Sequence, residues 1–377
     1  MRLSCLQENL SQGLNIVGRA VASRTTLPIT QHVLVSSDEG RLKLSATNLE
    51  IAISTWIGAQ IEEGGSITIP ERLLADFVGS LPKSAIDLQT GQNGLTIELK
   101  SGKSEAHING GDSNEFPPIP SVGDGIVAKF DSQVLKAAIH QVAFAAAVED
   151  SRPVLTGVNV ELNENSAIFA AADGFRLAVH TAALVEPCTE SLTVIIPGRT
   201  LQEVERLIEA QQSPIEMIIT PQKSQVLFKL ENIELVSQLI QGTFPNYSQL
   251  IPQGHTTRAL VAVQDLLRTT RTAAVFAKDG SGIIRVQLAP GTDNNPGKVI
   301  ISARAEEVGD NTGELEAAVE GEEGKIAFNS KYLADVLAVL DGEQVALEMT
   351  TSSSPGVVRP VGSDNYVHVV MPMFVQW

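Results

Sequence analysis

The sequence predicts an α+β protein of three similar domains, each with two helices packed on antiparallel sheets. Three observations lead to this prediction: the length of 377 residues, a helical pattern that occurs three times, and alternating apolar runs between its copies. A chain of this length exceeds one ordinary hydrophobic core. Its 43% of hydrophobic and 19% of charged residues allow each domain a core of its own.

The first repeated element is an amphipathic helix, whose apolar residues recur at helical spacing. Its three copies are predicted over residues 8–24, 132–148 and 265–278. In the first copy Leu10, Leu14 and Val17 fall on one face. Repetition over such a distance indicates that one structural unit occurs three times.

The second repeated element is a short strand that ends in proline or a short polar residue and is followed by a brief amphipathic helix. Its copies are Ser66–Pro70 before 71–81, Thr193–Pro197 before 199–208, and Lys325–Ser330 before 331–340. Runs with apolar residues at every second position, such as Arg41–Ala46, lie between the helices. They predict antiparallel strands.

Two loops rich in proline, glycine and polar residues, at 116–125 and 244–254, indicate the domain boundaries. The predicted domains are 1–121, 126–252 and 256–377. Three like domains in a row favour a curved array. Symmetric association with a second copy would close such an array into a ring without unpaired edge strands.

The charge of the chain argues against nucleic acid unless its bases are concentrated in one region. The formal net charge is −17, and a duplex repels an acidic surface. Counted over 8–24, 71–83, 132–149, 199–209, 265–278 and 331–340, the six predicted helical stretches nevertheless carry 11 bases and nine acids, a net charge of +2, against −19 for the remainder. This partition favours cationic helices and an anionic exterior, although well-solvated helix faces would give the same pattern.

The targeting and redox features of the sequence predict a cytoplasmic protein. The opening residues 1–9 lack the apolar stretch of a signal peptide, and no segment has the length of a membrane span. Cys5 and Cys188 fit no metal-ligand spacing. We expect them to be reduced thiols without a functional role.

Fragments that suggest catalysis or cofactor binding fail on spacing. Gly102–Ser104 ends like a phosphate loop, but Ile97 stands where that loop requires its first glycine. Gly280–Arg285 lacks the third glycine of a dinucleotide loop, and the six histidines form no pair at metal-ligand spacing. Asp173 and Arg176 have no nucleophile or second acid beside them. We therefore expect no enzyme activity, no cofactor and no metal.

Six stretches, in order along the chain, carry a family resemblance. They are Arg24–Ile29, Thr47–Ile51, Arg152–Val158, Ala172–Leu177, Phe244–Tyr247 and Val369–Met373. They resemble the corresponding stretches of bacterial DNA polymerase III beta subunits, the sliding clamps that act as processivity factors in DNA replication. Agreement of separated motifs across the whole chain is far more specific than any one short match.

This resemblance implies a homodimer that closes head to tail around double-stranded DNA, with helices lining the hole and sheets outside. A threaded ring needs few phosphate contacts, so it can slide without being lost. The implied partners are a clamp loader, DNA polymerase III and other proteins that carry a clamp-binding motif. The DNA-contacting positions implied by the resemblance are Arg24, Arg72, Glu149, Pro153, Val154 and Arg199.

The resemblance also implies a pocket for partner peptides. Its residues would be Arg152, Val154, Leu155, Ala172, Gly174, Phe175, Arg176, Leu177, Pro245, Leu250, Val369, Val370, Met371, Pro372 and Met373. Apolar walls that include methionine suit the Leu and Phe anchors of a short linear motif, while arginine and backbone groups suit its polar ends. Ala172, Phe175, Gln249 and the tail Phe374–Trp377 depart from the best-known members, so a different peptide preference is expected.

One alternative of another class stays open at this point. A repeat scaffold that binds only proteins would share the fold and use the acidic surface as its binding face. Neutralising Arg24, Arg72 and Arg199 together separates the two functions, because only a DNA-encircling protein would then lose loading efficiency or processivity.

Overall fold

The computed structural model describes residues 1–92, 94–120, 123, 125–149, 151–208, 211–277, 282–292, 295–305, 307 and 309–377. Of the positions discussed above, Ser121, Val122, Asp124, Glu209, Lys278, Gly280 and Ser281 lie outside this set. Within it, no helix combines the length and the apolar character needed to cross a membrane.

Six α-helices form within the described residues, one at each predicted helical stretch. They are α1 (Gln7–Val17), α2 (Glu71–Ser80), α3 (Ser132–Val142), α4 (Gly198–Ile208), α5 (Val263–Ala277) and α6 (Ser330–Ala338). The helices predicted over 8–24 and 132–148 were too long at their carboxyl ends, where α1 ends at Val17 and α3 at Val142. Both of these helices end in a single 3₁₀ turn instead.

The early ends of α1 and α3 have the same physical cause. Beyond the 3₁₀ turn the chain becomes extended, and its next backbone N–H is taken by a later loop instead of the helix. Ala22 N donates to Thr30 O at 3.2 Å, and Ala147 N donates to Leu155 O at 2.8 Å. These two bonds lie at equivalent positions of successive repeats, so the loop is part of the repeated unit.

The strands up to residue 197 occur in groups before, between and after helices α1, α2 and α3. They are β1 (Arg2–Leu6), β2 (His32–Asp38), β3 (Arg41–Thr47), β4 (Ile51–Ile57), β5 (Ala59–Glu63), β6 (Ser66–Pro70), β7 (Ala85–Thr90), β8 (Thr96–Ser101), β9 (Ser104–Asn109), β10 (Ile126–Phe130), β11 (Gly157–Leu162), β12 (Ser166–Ala172), β13 (Arg176–Ala183) and β14 (Leu192–Pro197).

The remaining strands complete four sheets. They are β15 (Ile215–Ile219), β16 (Gln225–Lys229), β17 (Ile233–Gln238), β18 (Thr257–Ala262), β19 (Ile283–Ala289), β20 (Lys298–Ala305), β21 (Gly309–Glu316), β22 (Ala318–Gly321), β23 (Gly324–Asn329), β24 (Gln344–Met349), β25 (Gly356–Pro360) and β26 (Tyr366–Val370). The strand pairs of the described residues are antiparallel, as the alternating pattern predicts.

The first of two compact units comprises Met1–Gln133, Leu184–Glu190 and Glu203–Leu239. It holds a five-stranded sheet, β5-β1-β7-β8-β9, and an eight-stranded sheet, β10-β15-β16-β17-β4-β3-β2-β6. Helix α1 packs on β3, β4 and α2. Its Leu10 and Leu14 are fully buried at helical spacing, which is why this segment folds as a surface helix.

The second unit comprises Val134–Ala183, Ser191–Gln202 and Ile240–Trp377. It holds a nine-stranded sheet, β14-β11-β12-β13-β26-β25-β24-β18-β22, and a four-stranded sheet, β21-β20-β19-β23. At the centre of the larger sheet β13 pairs with β26, in a register that sets Arg176 opposite Val370 and His180 opposite Tyr366. This pairing brings the 172–177 stretch beside the 369–373 stretch, which is the arrangement that the pocket requires.

Candidate functional site

A tight turn between β12 and β13 forms one lip of the candidate pocket. Asp173 Oδ1 accepts hydrogen bonds from the backbone N–H groups of Phe175 (2.8 Å) and Arg176 (3.0 Å). Gly174 has a φ of 95°, a conformation that glycine adopts without steric cost. The turn therefore follows from the Asp-Gly pair in the sequence, and it leaves the Phe175 side chain 54% exposed at the tip.

Arg176, which is almost completely buried, connects this turn to the surrounding structure. Its Nε donates to Asp173 Oδ2 at 3.0 Å, its Nη1 to Asp335 Oδ2 at 2.7 Å, and its Nη2 to Phe144 O at 2.9 Å. The guanidinium lies over the rings of Phe144 and Tyr332, at 5.2 and 4.8 Å from their centroids. Each nitrogen thus bonds to a protein acceptor, as a buried cation must.

The floor of the pocket is an apolar patch on the nine-stranded sheet. Its buried members are Ala170, Leu177, Val179, Val357, Val367 and Val369, and the partly buried Ile168, Ala172, Tyr247 and Ile251 pack against them. Because alternate residues of a strand face the same way, the pairing of β13 with β26 collects Leu177, Val179, Val367 and Val369 on one face. Burial and hydrogen bonding to Glu161 raise the pKa of the Tyr247 phenol, so this group stays a neutral donor to Glu161 Oε1 at 2.9 Å.

The carboxyl-terminal stretch forms the wall beside Phe175. Met371 N donates to Phe175 O at 2.8 Å, and Met373 N donates to Ala327 O at 2.8 Å. Met371 is 38% exposed, whereas Val370 is fully buried and Pro372 is half-buried. Of the two methionines predicted to line the pocket, Met371 is exposed and Met373 is half-buried.

The other predicted pocket residues come from two loops of the same unit. Arg152 Nη2 donates to Asp173 O at 3.4 Å, which attaches the 152–156 loop to the lip. Leu155 is buried, and Val154 is half-buried. In the second loop Pro245 and Leu250 are exposed, and Leu250 N donates to Tyr247 O at 2.9 Å, beside the apolar floor. The assignment of these residues to a peptide pocket stays a prediction.

Two buried histidines lie in the layer beneath the lip. His368 is fully buried, stacks on Phe144 with ring centroids 5.6 Å apart, and its Nδ1 lies 3.2 Å from Tyr366 Oη. His180 Nδ1 lies 2.8 Å from Gln141 Oε1. Burial lowers the pKa of His368 to about 3 and the pKa of His180 to about 4, so both rings are neutral near pH 7.

Acidification should therefore destabilise the protein well above the pKa values of the folded state. An unfolded histidine takes up a proton near pH 6.5, whereas these two stay neutral in the fold to about 4 and about 3. Below pH 6.5 the unfolded chain binds more protons, so stability falls as the pH falls. The His368→Phe variant keeps the stack on Phe144 and should lose about 2 kcal/mol less than the parent between pH 7 and pH 5. Urea unfolding at the two pH values measures this difference, and an equal loss in both proteins would contradict it.

The predicted DNA-contacting residues lie on the surfaces of their separate units. In the first unit Arg24 is exposed in the loop after α1, and Arg72 is exposed in the first turn of α2. In the second unit Arg199 is exposed in the first turn of α4. Glu149 and Pro153 are exposed in the loop that follows α3. Their contact with DNA stays a prediction.

A polar groove of about 910 Å³ lies in the first unit, along the solvent-facing side of α1. Gln12, Asn15 and Arg19 line it from α1, and Arg206 lines it from the end of α4. Arg19 Nη1 and Arg206 Nη1 both pair with the carboxylate of Glu203, the former at 3.4 Å. Lys83, Glu8 and Glu231 also line the groove, so together with Glu203 its formal charges cancel, and the rest of its polar lining is rich in side-chain amides.

Comparison with known proteins settles the family. Models of the DNA polymerase III beta subunit match this chain with their N-terminal domain over residues 1–120, their central domain over 129–246 and their C-terminal domain over 248–374. The chain belongs to the DNA polymerase III beta subunit family. The predicted architecture of three clamp domains is thereby confirmed.

Relatives in this family match the chain from end to end. The beta sliding clamp of Bacillus subtilis is 30% identical and that of Synechococcus elongatus 32% identical, each over 99% of both chains. Among solved structures, the sliding clamp of Bacillus subtilis superimposes with a TM-score of 0.93 at 28% identity, over the whole of both chains. A sliding clamp of Pseudomonas aeruginosa bound to griselimycin gives 0.92 at 28% identity, with the same coverage.

Two residues that hold the lip in place were not predicted from the sequence. Tyr332 stacks on Phe175, with centroids 6.0 Å apart, and Phe144 lies under Arg176. Tyr332 fell in a predicted helix, and Phe144 near the end of another, so each looked like an ordinary helix residue. The packing of α6 places Tyr332 against the turn, and the 3₁₀ turn after α3 places Phe144 there; no spacing in the sequence signals either position.

One cluster of metal-ligating side chains occurs in the described residues. The ligand atoms of Glu98, Glu105 and His107 lie within 4.8 Å of one another on β8 and β9. Lys100 pairs with both carboxylates, so each of them already has a cationic partner. The side chains are substantially exposed, and the group is best described as a surface ion network.

Proposed function

We propose that two copies of this chain close head to tail into a ring that encircles duplex DNA and keeps DNA polymerase III on it. The observation that carries the proposal is the end-to-end match to proteins named beta sliding clamp. In this role the protein is a mechanical tether that catalyses no reaction and needs no cofactor. The domains would extend over 1–121, 126–252 and 256–377, and the ring would act in the cytoplasm, where bacterial DNA is copied.

Ring closure is supported by surfaces that lack a neighbour within one chain. Among the described strands, each of the four sheets has an end strand at either edge, and β9 and β21 are two of these end strands. On α5, Val275 is 63% exposed beside a shallow groove of about 380 Å³ that Arg268 and Arg271 also line. A second copy would cover both kinds of surface, since a closed ring leaves no free sheet edge.

Encirclement resolves the conflict between a net charge of −17 and binding to DNA. A ring is retained by topology, so its inner surface needs only enough positive charge to tolerate the phosphates. Exposed Arg24, Arg72 and Arg199 supply such charge on helices or on the loops after them. Weak contacts also let the ring move, because each step along the duplex breaks few bonds.

The pocket of the second unit is the proposed tether for partners. Leu177 and Val369 form an apolar floor, while Met371, Phe175 and Leu250 offer exposed apolar surface around it. This combination suits the Leu and Phe anchors of a short peptide from DNA polymerase III, from the clamp loader that opens the ring, or from other proteins with the same motif. A partner held by a peptide can exchange without the ring leaving the DNA.

Neutralising the DNA-facing arginines tests this function against that of a protein-only scaffold. The variant with Arg24, Arg72 and Arg199 all replaced by Gln should reduce loading or processive primer extension by about tenfold, because the inner surface loses three charges. Its affinity for a partner peptide should stay unchanged. Primer-extension length on a circular template, at several salt concentrations, measures the effect.

A matched variant controls for the change in net charge. Arg2, Lys229 and Lys325 are exposed on strands, so replacing them by Gln removes the same charge from the sheet surfaces. The proposal predicts nearly normal processivity for this control. Equal processivity in the two triple variants would favour a scaffold that binds only proteins.

A further inference from the structure

The geometry around Arg176 assigns a positioning role to Asp335 of α6: it holds the 173–176 turn in the position that forms the lip of the pocket. This inference rests on the proposed function of the pocket as a peptide site. Asp335 lies 159 residues from Arg176 in the chain, so their ion pair joins distant segments. Asp335 would therefore affect partner affinity although it does not line the pocket.

The ion pair is well protected from water. Arg176 Nη1 lies 2.7 Å from Asp335 Oδ2, and the side chains of the two residues are 7% and 29% exposed. A charge-assisted hydrogen bond of this length is among the stronger side-chain contacts, and removing one partner leaves a buried cation with a missing acceptor. The rings of Phe144 and Tyr332 leave the guanidinium little access to solvent.

Asp335 differs from the other carboxylate at this site. Asp173 also pairs with Arg176, at 3.0 Å, but it belongs to the same turn and cannot fix the turn relative to the rest of the unit. The backbone of the turn is fixed by the pairing of β13 with β26, in which Arg176 lies opposite Val370, and by the Arg152 and Met371 bonds. The side chains of the turn are fixed by the Arg176 bond to Phe144 O, the packing of Arg176 and Phe175 on Tyr332, and the Asp335 pair. Among these, Asp335 alone contributes an opposite charge.

Loss of Asp335 would therefore act on the lip. The guanidinium would regain solvation by moving outward, and the short turn would move with it. Phe175 would then lose its stacking on Tyr332, and the Phe175 carbonyl would shift from Met371 N. These two groups connect the lip with the Met371 wall, so the shape of the pocket depends on the pair.

Lys331 provides a matched control on the same helix. Its Nζ lies 2.6 Å from the same Asp335 oxygen that Arg176 contacts, but its side chain is 69% exposed. Removing Lys331 changes the charge beside Asp335 and leaves the Arg176 pair in place. A purely electrostatic influence of α6 on the peptide would respond to both substitutions, whereas positioning of the lip responds only to loss of Asp335.

The test measures peptide affinity together with local exchange in the full chain. The probe is a fluorescein-labelled synthetic peptide with Leu and Phe anchors, titrated by anisotropy against each protein. We expect affinity to fall by about tenfold in Asp335→Ala, by about threefold in Asp335→Asn and by less than about twofold in Lys331→Ala. Without peptide, amide hydrogen exchange over 173–176 should accelerate in Asp335→Ala by more than exchange in the rest of the second unit.

The outcomes separate this inference from the proposed function. If the parent protein does not bind the probe, the peptide function fails, and the role of Asp335 fails with it. If the parent binds and Asp335→Ala binds equally well with unchanged exchange over 173–176, only the positioning role is overturned. Exchange that accelerates equally throughout the unit would also overturn it, because the loss of affinity would then reflect general destabilisation.

Discussion

Replacing Met371 with Asp should weaken the binding of a partner peptide by about 100-fold, the size of a substantial hot-spot effect. Met371 is 38% exposed beside Phe175, so the substitution leaves the free protein well solvated. In the complex, however, the peptide would bury a carboxylate against apolar groups, and burial of an unpaired charge is costly. Anisotropy titration with a labelled peptide measures the loss, and the dimer should stay intact.

The control for this substitution lies in the same unit. Val361 has a similar exposure, 41%, and lies outside the predicted pocket, so Val361→Asp should leave peptide affinity within about twofold. Leu155 is less suitable for the test because it is buried, and Leu155→Ala would cost about 2 to 5 kcal/mol in folding stability through a cavity. Equal peptide affinities of the parent and Met371→Asp proteins would remove the pocket assignment.

The second large effect is expected at the proposed dimer interface. Val275→Lys should raise the dimer dissociation constant by about 100-fold, because α5 would then carry three cations on the face to be buried. Arg271 precedes position 275 by one helical turn, and Arg268 by two, so the added charge meets like charges. Sedimentation equilibrium should find most of the variant at the mass of a single chain, under conditions where the parent has twice that mass.

Val148→Lys is the matched control for this experiment. Val148 is 84% exposed in a loop rather than on α5, so the same substitution there should leave the dimer unchanged. Dissociation of both variants would indicate a general effect of added charge. A Val275→Lys protein that stays fully dimeric would exclude this face of α5 from ring closure.

Much of the fold follows from short-range patterns in the sequence. Leu10, Leu14 and Val17 at helical spacing predict α1, and alternation in Arg41–Ala46 predicts a strand that is observed. The ends of α1 and α3 were not predicted, because they depend on backbone bonds to loops eight residues further along. The spacing of apolar residues does not show that a loop carbonyl will compete with the helix for a backbone N–H group.

In the candidate site, too, the features that depend on local pattern were predictable and those that depend on tertiary packing were not. The Asp-Gly pair at 173–174 signals a turn, and the strand patterns place Leu177 and Val369 on apolar faces. The ion pair between Arg176 and Asp335 depends on how α6 packs against the turn. The two residues are 159 positions apart in the chain, so tertiary packing alone brings them together. An acid on an exposed helix face gives no sign in the sequence that a buried guanidinium will meet it.

Retention on circular DNA is the most direct test of encirclement. The loaded protein should stay bound to a nicked circular duplex at a salt concentration that dissociates proteins held by electrostatic attraction alone. It should dissociate soon after a restriction enzyme cuts the circle, because a threaded ring slides off free ends. Gel filtration of the DNA-bound fraction before and after cutting measures this. Equal, salt-sensitive loss from circular and linear DNA would contradict a topological link.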